Sequence, residues 1–257
     1  EWVWKFWRAL VTRNVEVQTV DRGVALGAQA FTAVVPLLML FALVAPRREG
    51  RDFADTLIAR FELSGSSAEA LRQAFSPPEL TTQSVSVFGV VLLIIATLSF
   101  TRTLQRLYEN AYGLPKLGFR GTPWGLIWIG FLAVATSVNP LVRSFFDGTL
   151  GVVVAIGVAA ISWGITPYIL TAKRIVPGQA VTAGIIGGIA MTGLGVASTI
   201  WFPHSVATSA AQYGLIGVAF ASVGWLVSAG LTLAFSAVGA AVVADFLGYG
   251  PAEKEPT

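Results

Sequence analysis

One histidine, His204, and no cysteine limit what this 257-residue chain can catalyse. Zinc centres and base-assisted nucleophiles draw on clusters of His, Cys, Asp and Glu, and a lone imidazole supplies none. His204 follows Trp201 and Pro203 at the edge of an apolar run, so an interfacial role is its simpler reading. Neither a P-loop nor a G-x-S-x-G elbow occurs, which removes ATP-driven transport by this chain alone. We therefore expect no enzyme, no metal and no cofactor. The other polar candidates are neutral and lie inside apolar runs: Gln29, Thr32, Asn139, Ser162, Thr166, Ser198, Thr199 and Ser228. Such side chains either bond across helices or contact a substrate in a path. Asp21, Asp147 and Asp245 stand at run edges, positions from which a carboxylate can face a vestibule.

The elements that must hold these groups are six long runs almost free of charge, at 23–46, 84–101, 124–141, 149–172, 179–202 and 214–244. A hydrocarbon core of about 30 Å needs roughly 20 helical residues, and uncharged runs of that order mark transmembrane helices. Barrel strands alternate over about ten residues, whereas these runs are continuous. The chain is 54% hydrophobic and 12% charged, with a mean hydropathy of +0.71, where soluble domains carry about 25% charged residues. We expect an all-α integral membrane protein, a six-helix bundle over 21–246. Ionisable groups are absent from the run interiors, which disfavours a proton pump with a buried carboxylate relay.

The first 20 residues carry Trp2, Trp4, Phe6 and Trp7 beside Lys5 and Arg8, the pattern of an interfacial amphipathic helix whose cations meet anionic lipid. They contain no uninterrupted apolar stretch of the kind a signal peptide uses. Residues 47–83 form the one long loop. Phe53, Leu57 and Phe61 repeat at helical spacing, and Ser66 with Glu69 matches a capping box, so short amphipathic helices are expected on the external face. These either tuck against the bundle or cover a cavity. Of the Lys and Arg residues, 11 fall with the termini and even-numbered loops and six in the odd-numbered loops, which places both termini, including the polar tail 247–257, in the cytoplasm. The net charge of +3 is spread along loop edges, so it fits lipid headgroups and not nucleic acid.

In lipid, helices approach closely where side chains are small. The fifth run offers Ala180, Gly184, Gly188 and Thr192 at i, i+4 spacing, and the sixth Ser236, Ala240 and Ala244. These faces pack within one chain or form a homo-oligomer. Pro36, in the middle of the first run, removes a backbone hydrogen bond and bends the helix, beside a cavity or as a static kink.

Four segments carry a resemblance. Asp21 leads into RGVALGAQAFTAVVPLLMLFAL; SFTRTLQRLYENAYGL contains Leu104, Gln105 and Asn110; KRIVPGQAVTAG contains Arg174, Pro177 and Gly178; QYGLIGVAFASVGWLVSAGLTLAFSAVGA contains Tyr213, Gly214, Gly217, Trp225 and Gly239. In order, over residues 20–244, they are similar to the YihY/BrkB family of bacterial inner-membrane proteins. Tyr112, Gln179 and Ala241 replace the Trp, Ala and Glu of the family pattern. The resemblance implies a transporter-like protein of the bacterial inner membrane. It also implies a role in moving lipids or other amphiphiles, beside membrane lipids and envelope lipid-transfer proteins as partners. The ribonuclease BN label of some relatives conflicts with a chain holding one His. The expectation is a non-ATP-driven translocator for an apolar or amphipathic substrate, with a scaffold or accessory subunit as the alternative. Where pattern and local physics coincide, the candidate path residues are Gln29, Pro36, Asn139, Arg174, Pro177, Tyr213, Gly214 and Trp225. The candidate packing residues are Gly184, Gly188, Gly217 and Gly239.

Overall fold

The computed structural model describes residues 1–44, 55, 58, 65, 68, 69, 72, 83–145 and 148–250, and among them no strand occurs. The helices are α1 (Trp2–Val17), α2 (Thr19–Val44), α3 (Gln83–Ala111), a 3-10 turn (Gly118–Gly121), α4 (Thr122–Phe145) and α5 (Gly148–Leu170). They are followed by α6 (Pro177–Gly214) and α7 (Ile216–Phe246). Runs without charge favour helices because every backbone donor and acceptor is then satisfied within its own segment. Three of these segments, Gly89–Ala111 within α3, α6 and α7, are long and apolar enough to cross a membrane, which marks the chain as membrane-associated.

Burial follows the same logic. Large apolar side chains point outward: Ile200 is 77% exposed, Phe220 69% and Ile189 67%. The interior mixes leucines such as Leu104, Leu107 and Leu170 with small and hydroxyl-bearing residues, among them Thr101, Thr166, Ser198, Ser236, Ala237 and Ala240. A water-soluble fold would leave no such apolar exterior.

Two expected boundaries move. The run at 84–101 becomes part of one helix, α3, that continues to Ala111. The fifth run was expected to stop at Phe202, yet α6 passes through Pro203 and reaches Gly214. The chain then reverses at one residue. Gly214 has φ 59° and ψ −137°, a conformation only glycine adopts without strain. Contacts on both sides give the direction: a Cβ built at Gly217 would overlap the Ser209 carbonyl, and Trp225 reaches back to Ser198 and Phe202. In one continuous helix residues 198 and 225 would stand about 40 Å apart. α6 and α7 are therefore an antiparallel hairpin around Gly214.

Contacts divide the chain into two compact units. The first comprises Glu1–Gly23, Thr101–Gly193 and Gly230–Thr257, the second Val24–Phe100 and Leu194–Ala229. In the first, α1 docks on the end of α7: the Phe6 and Trp2 rings meet Phe246 edge-on at 5.4 and 5.8 Å, and Arg13 donates to Asp245 at 2.8 Å. Trp4 and Trp7 stay exposed, as an interfacial helix requires. In the second, Ile58 and Ala68 of the long loop pack with Val206, Val218 and Ala221. Most of that loop, Asp147 and residues 251–257 lie outside the described residues.

Candidate functional site

The densest polar structure in the first unit begins on one face of α3. Thr101, Gln105 and Glu109 recur at i, i+4 spacing and are all buried. A buried carboxylate needs compensation, because desolvation of an unpaired charge costs several kcal/mol. Glu109 obtains it from two sides: its Oε1 accepts from Arg174 Nη2 at 2.8 Å and from the Leu117 backbone N–H at 2.8 Å. Only 3% of the Glu109 side chain is exposed, against 25% for Arg174. Arg174 also donates from Nε to the Thr171 carbonyl at 2.8 Å and from Nη1 to the Pro115 carbonyl at 2.6 Å. Gln105 Nε2 donates to the Gly121 carbonyl at 2.7 Å and weakly to that of Leu170 at 3.4 Å.

These bonds clamp the turn between α5 and α6. Ala172 and Lys173 have φ of 57° and 61°, left-handed conformations that disfavour side chains with a Cβ. The turn keeps its shape because Leu170 and Thr171 are held by Gln105 and Arg174, and because Thr171 Oγ1 donates to the Pro167 carbonyl at 2.7 Å. Pro177 then opens α6, where its missing N–H would have been unpaired in any case. Gln179 Oε1 accepts from the Val176 N–H at 3.1 Å and closes the cap. Arg174, a candidate path residue, has its guanidinium committed to Glu109, Pro115 and Thr171.

Beyond the turn, α5 and α6 cross on small residues. A Cβ at Gly184 would lie 2.5 Å from the Ala160 carbonyl oxygen, and one at Gly188 would lie 3.1 Å from the Ala160 Cα. Gly164 faces the Ala180 carbonyl at 2.8 Å in the same sense. These contacts lie within one chain. Beside the crossing runs an apolar groove of about 450 Å³, walled by Ile161, Ile165, Tyr168, Val181 and Ile185, with Pro177 at its edge.

The remaining candidates are dispersed. In the second unit, Trp225 Nε1 donates to Ser198 Oγ at 2.7 Å and its ring lies 5.8 Å from that of Phe202, so the indole is a hairpin contact. Tyr213 is 66% exposed beside the Gly214 break. Gly214 does not serve close packing, since no atom lies within 4 Å of its Cβ position; its backbone conformation is what requires glycine. Gly217 does pack closely, on Ser209. Gly239 has open space where a Cβ would go, so its packing assignment is corrected. Gln29 Oε1 is buried with no hydrogen-bond partner among the described residues. The side chains of Pro36 and Asn139 lie outside the described residues.

Two features escaped the sequence reading. Glu109 and Arg174 are 65 residues apart, and no spacing announces such a pair. Gly23 and Gly27 did carry a signal, as a G-x-x-x-G pair: Cβ atoms there would fall 2.8 and 2.5 Å from the Cα atoms of Leu231 and Val227, which lets α2 lie against α7. Tyr112, also buried, has its phenol held above the ordinary range by burial and then by the Asp245 carboxylate. No family, curated protein or solved structure matches the chain.

Proposed function

We propose that this chain is a six-span inner-membrane protein of YihY/BrkB type, with both termini in the cytoplasm, that moves an amphipathic or apolar substrate without ATP. The observation that carries this reading is the apolar groove at the α5–α6 crossing. Its walls are aliphatic side chains that are themselves exposed, Ile161, Val181 and Ile185 among them, so a hydrocarbon chain fits it better than a sugar or an ion does. Its edge at Pro177 adjoins the clamped turn at 171–176, where a polar end can remain while a chain lies in the groove. The absence of charged residues from the run interiors supports the same substrate class.

Reconstitution into vesicles tests it. Purified protein should accelerate the movement of a fluorescent short-chain phospholipid between leaflets, and Val181→Trp, which fills the groove from an exposed position, should slow it severalfold. Lipid movement equal to that of protein-free vesicles rejects the translocator. A stoichiometric partner captured in gentle detergent, with no lipid movement, would favour an accessory subunit of an envelope lipid-transfer assembly.

A further inference from the structure

α3 presents a second polar face beside its buried one. Arg102 and Arg106, also at i, i+4 spacing, line a cavity of about 280 Å³ together with Lys116, Gln105, Glu109 and Phe119. Its charges do not balance. Three cations face one carboxylate, and that carboxylate is already engaged by Arg174 and the Leu117 N–H. Arg102 donates from Nη2 to Thr122 Oγ1 at a long 3.3 Å, and its guanidinium lies 4.8 Å from the Phe119 ring centre. Its Nε is buried without any hydrogen-bond partner among the described residues. Arg106 and Lys116 are exposed. A buried donor without a partner costs free energy unless an acceptor completes it, and the exposed Arg106 and Lys116 add positive charge around the same hollow.

We propose that this cavity, formed by α3 and the loop leading to the 3-10 turn, binds a phosphate group, with Arg102, Arg106 and Lys116 as its cationic ligands. A phosphate suits it because guanidinium pairs with phosphate oxygens in two-point fashion, and two arginines with a lysine supply more donors than a carboxylate can use. Phe119 lies against the Arg102 guanidinium, and both line the hollow. The phosphate can belong to a lipid headgroup or to a free anion. The site is separate from the apolar groove, and its occupancy does not depend on whether that groove carries a substrate.

The test is isothermal titration of the full chain in neutral maltoside detergent at physiological salt. Three probes are used: inorganic phosphate, dioctanoyl phosphatidic acid and dioctanoylglycerol. The wild-type chain should bind at least one of the two phosphate-bearing probes and show no comparable binding of the diglyceride. The paired substitution of Arg106→Gln and Lys116→Gln removes two exposed charges and should weaken that binding by about tenfold or more. Arg106→Lys with Lys116 intact should retain most of it. Arg120→Gln, exposed in the same loop but outside the cavity, should change it less than about twofold under Debye screening of about 8 Å. Tighter binding of phosphatidic acid than of phosphate assigns the site to a headgroup; equal binding assigns it to a free anion. The proposal is overturned if the wild type binds neither phosphate probe, if the diglyceride binds as well as phosphatidic acid, if the double substitution leaves affinity unchanged, or if Arg120→Gln weakens binding equally. Because binding and not lipid movement is read, this result is independent of the transport assay.

Discussion

Replacing Arg174 with Ala should damage the fold more than neutralising its partner. With Arg174 gone, Glu109 remains 3% exposed and keeps one donor, the Leu117 N–H, for a full negative charge. Leaving one member of a buried pair uncompensated costs about 3–5 kcal/mol. The clamps on Pro115 and Thr171 are lost as well, at about 1 kcal/mol each. Glu109→Gln behaves differently: the amide oxygen still accepts from Leu117 and Arg174, and Arg174, one quarter exposed, keeps water and two carbonyls. That substitution should cost only about 1–2 kcal/mol. In the double variant the buried charge is gone, so the loss should be smaller than for Arg174→Ala alone. Intrinsic tryptophan fluorescence during thermal unfolding in detergent reads all three, since the chain holds eight Trp and no Cys. At about 2–4 °C per kcal/mol, the loss of about 5–7 kcal/mol in Arg174→Ala should lower Tm by roughly 10–28 °C and Glu109→Gln by a few degrees. Equal losses for the two single variants, or a double variant worse than Arg174→Ala, would refute the reasoning that the charge of Glu109 is compensated chiefly by Arg174.

Three further outcomes follow from the packing. Gly184→Leu must push α5 from α6, since even its Cβ would lie 2.5 Å from the Ala160 carbonyl, and should cost about 1–3 kcal/mol; Gly239→Ala, facing open space, should change Tm by no more than a degree or two. Gly214→Ala meets no atom yet should cost about 1–3 kcal/mol, because φ 59° with ψ −137° is strained for any side chain; unchanged unfolding would remove the hairpin's reliance on glycine. Trp225→Phe and Ser198→Ala should each cost about 1 kcal/mol, and a double-mutant cycle should show the pair to be coupled, with simple additivity arguing against the 2.7 Å bond as a stabilising contact.

The sequence by itself determined that the chain is helical and that its segments suit hydrocarbon, because run length and lack of charge depend only on local composition. It also marked the close-approach glycines at 184 and 188, since i, i+4 spacing fixes which residues share a helix face. Helix ends were harder to read. The fifth run ended at Phe202 in the sequence, but inside a long apolar segment the hydrogen bond missing at Pro203 is tolerated, and the real reversal falls on Gly214. Glycine by itself does not say whether it is there for space, as at Gly217, or for its backbone angles, as at Gly214. Only the tertiary structure decided the pairing of Glu109 with Arg174, the clamped turn before Pro177 and the gathering of Arg102, Arg106 and Lys116 around one cavity. The physical reason is that electrostatic compensation acts through space: a buried charge is satisfied by whichever partner the packing brings within 3 Å, and 65 residues of intervening chain carry no record of that choice.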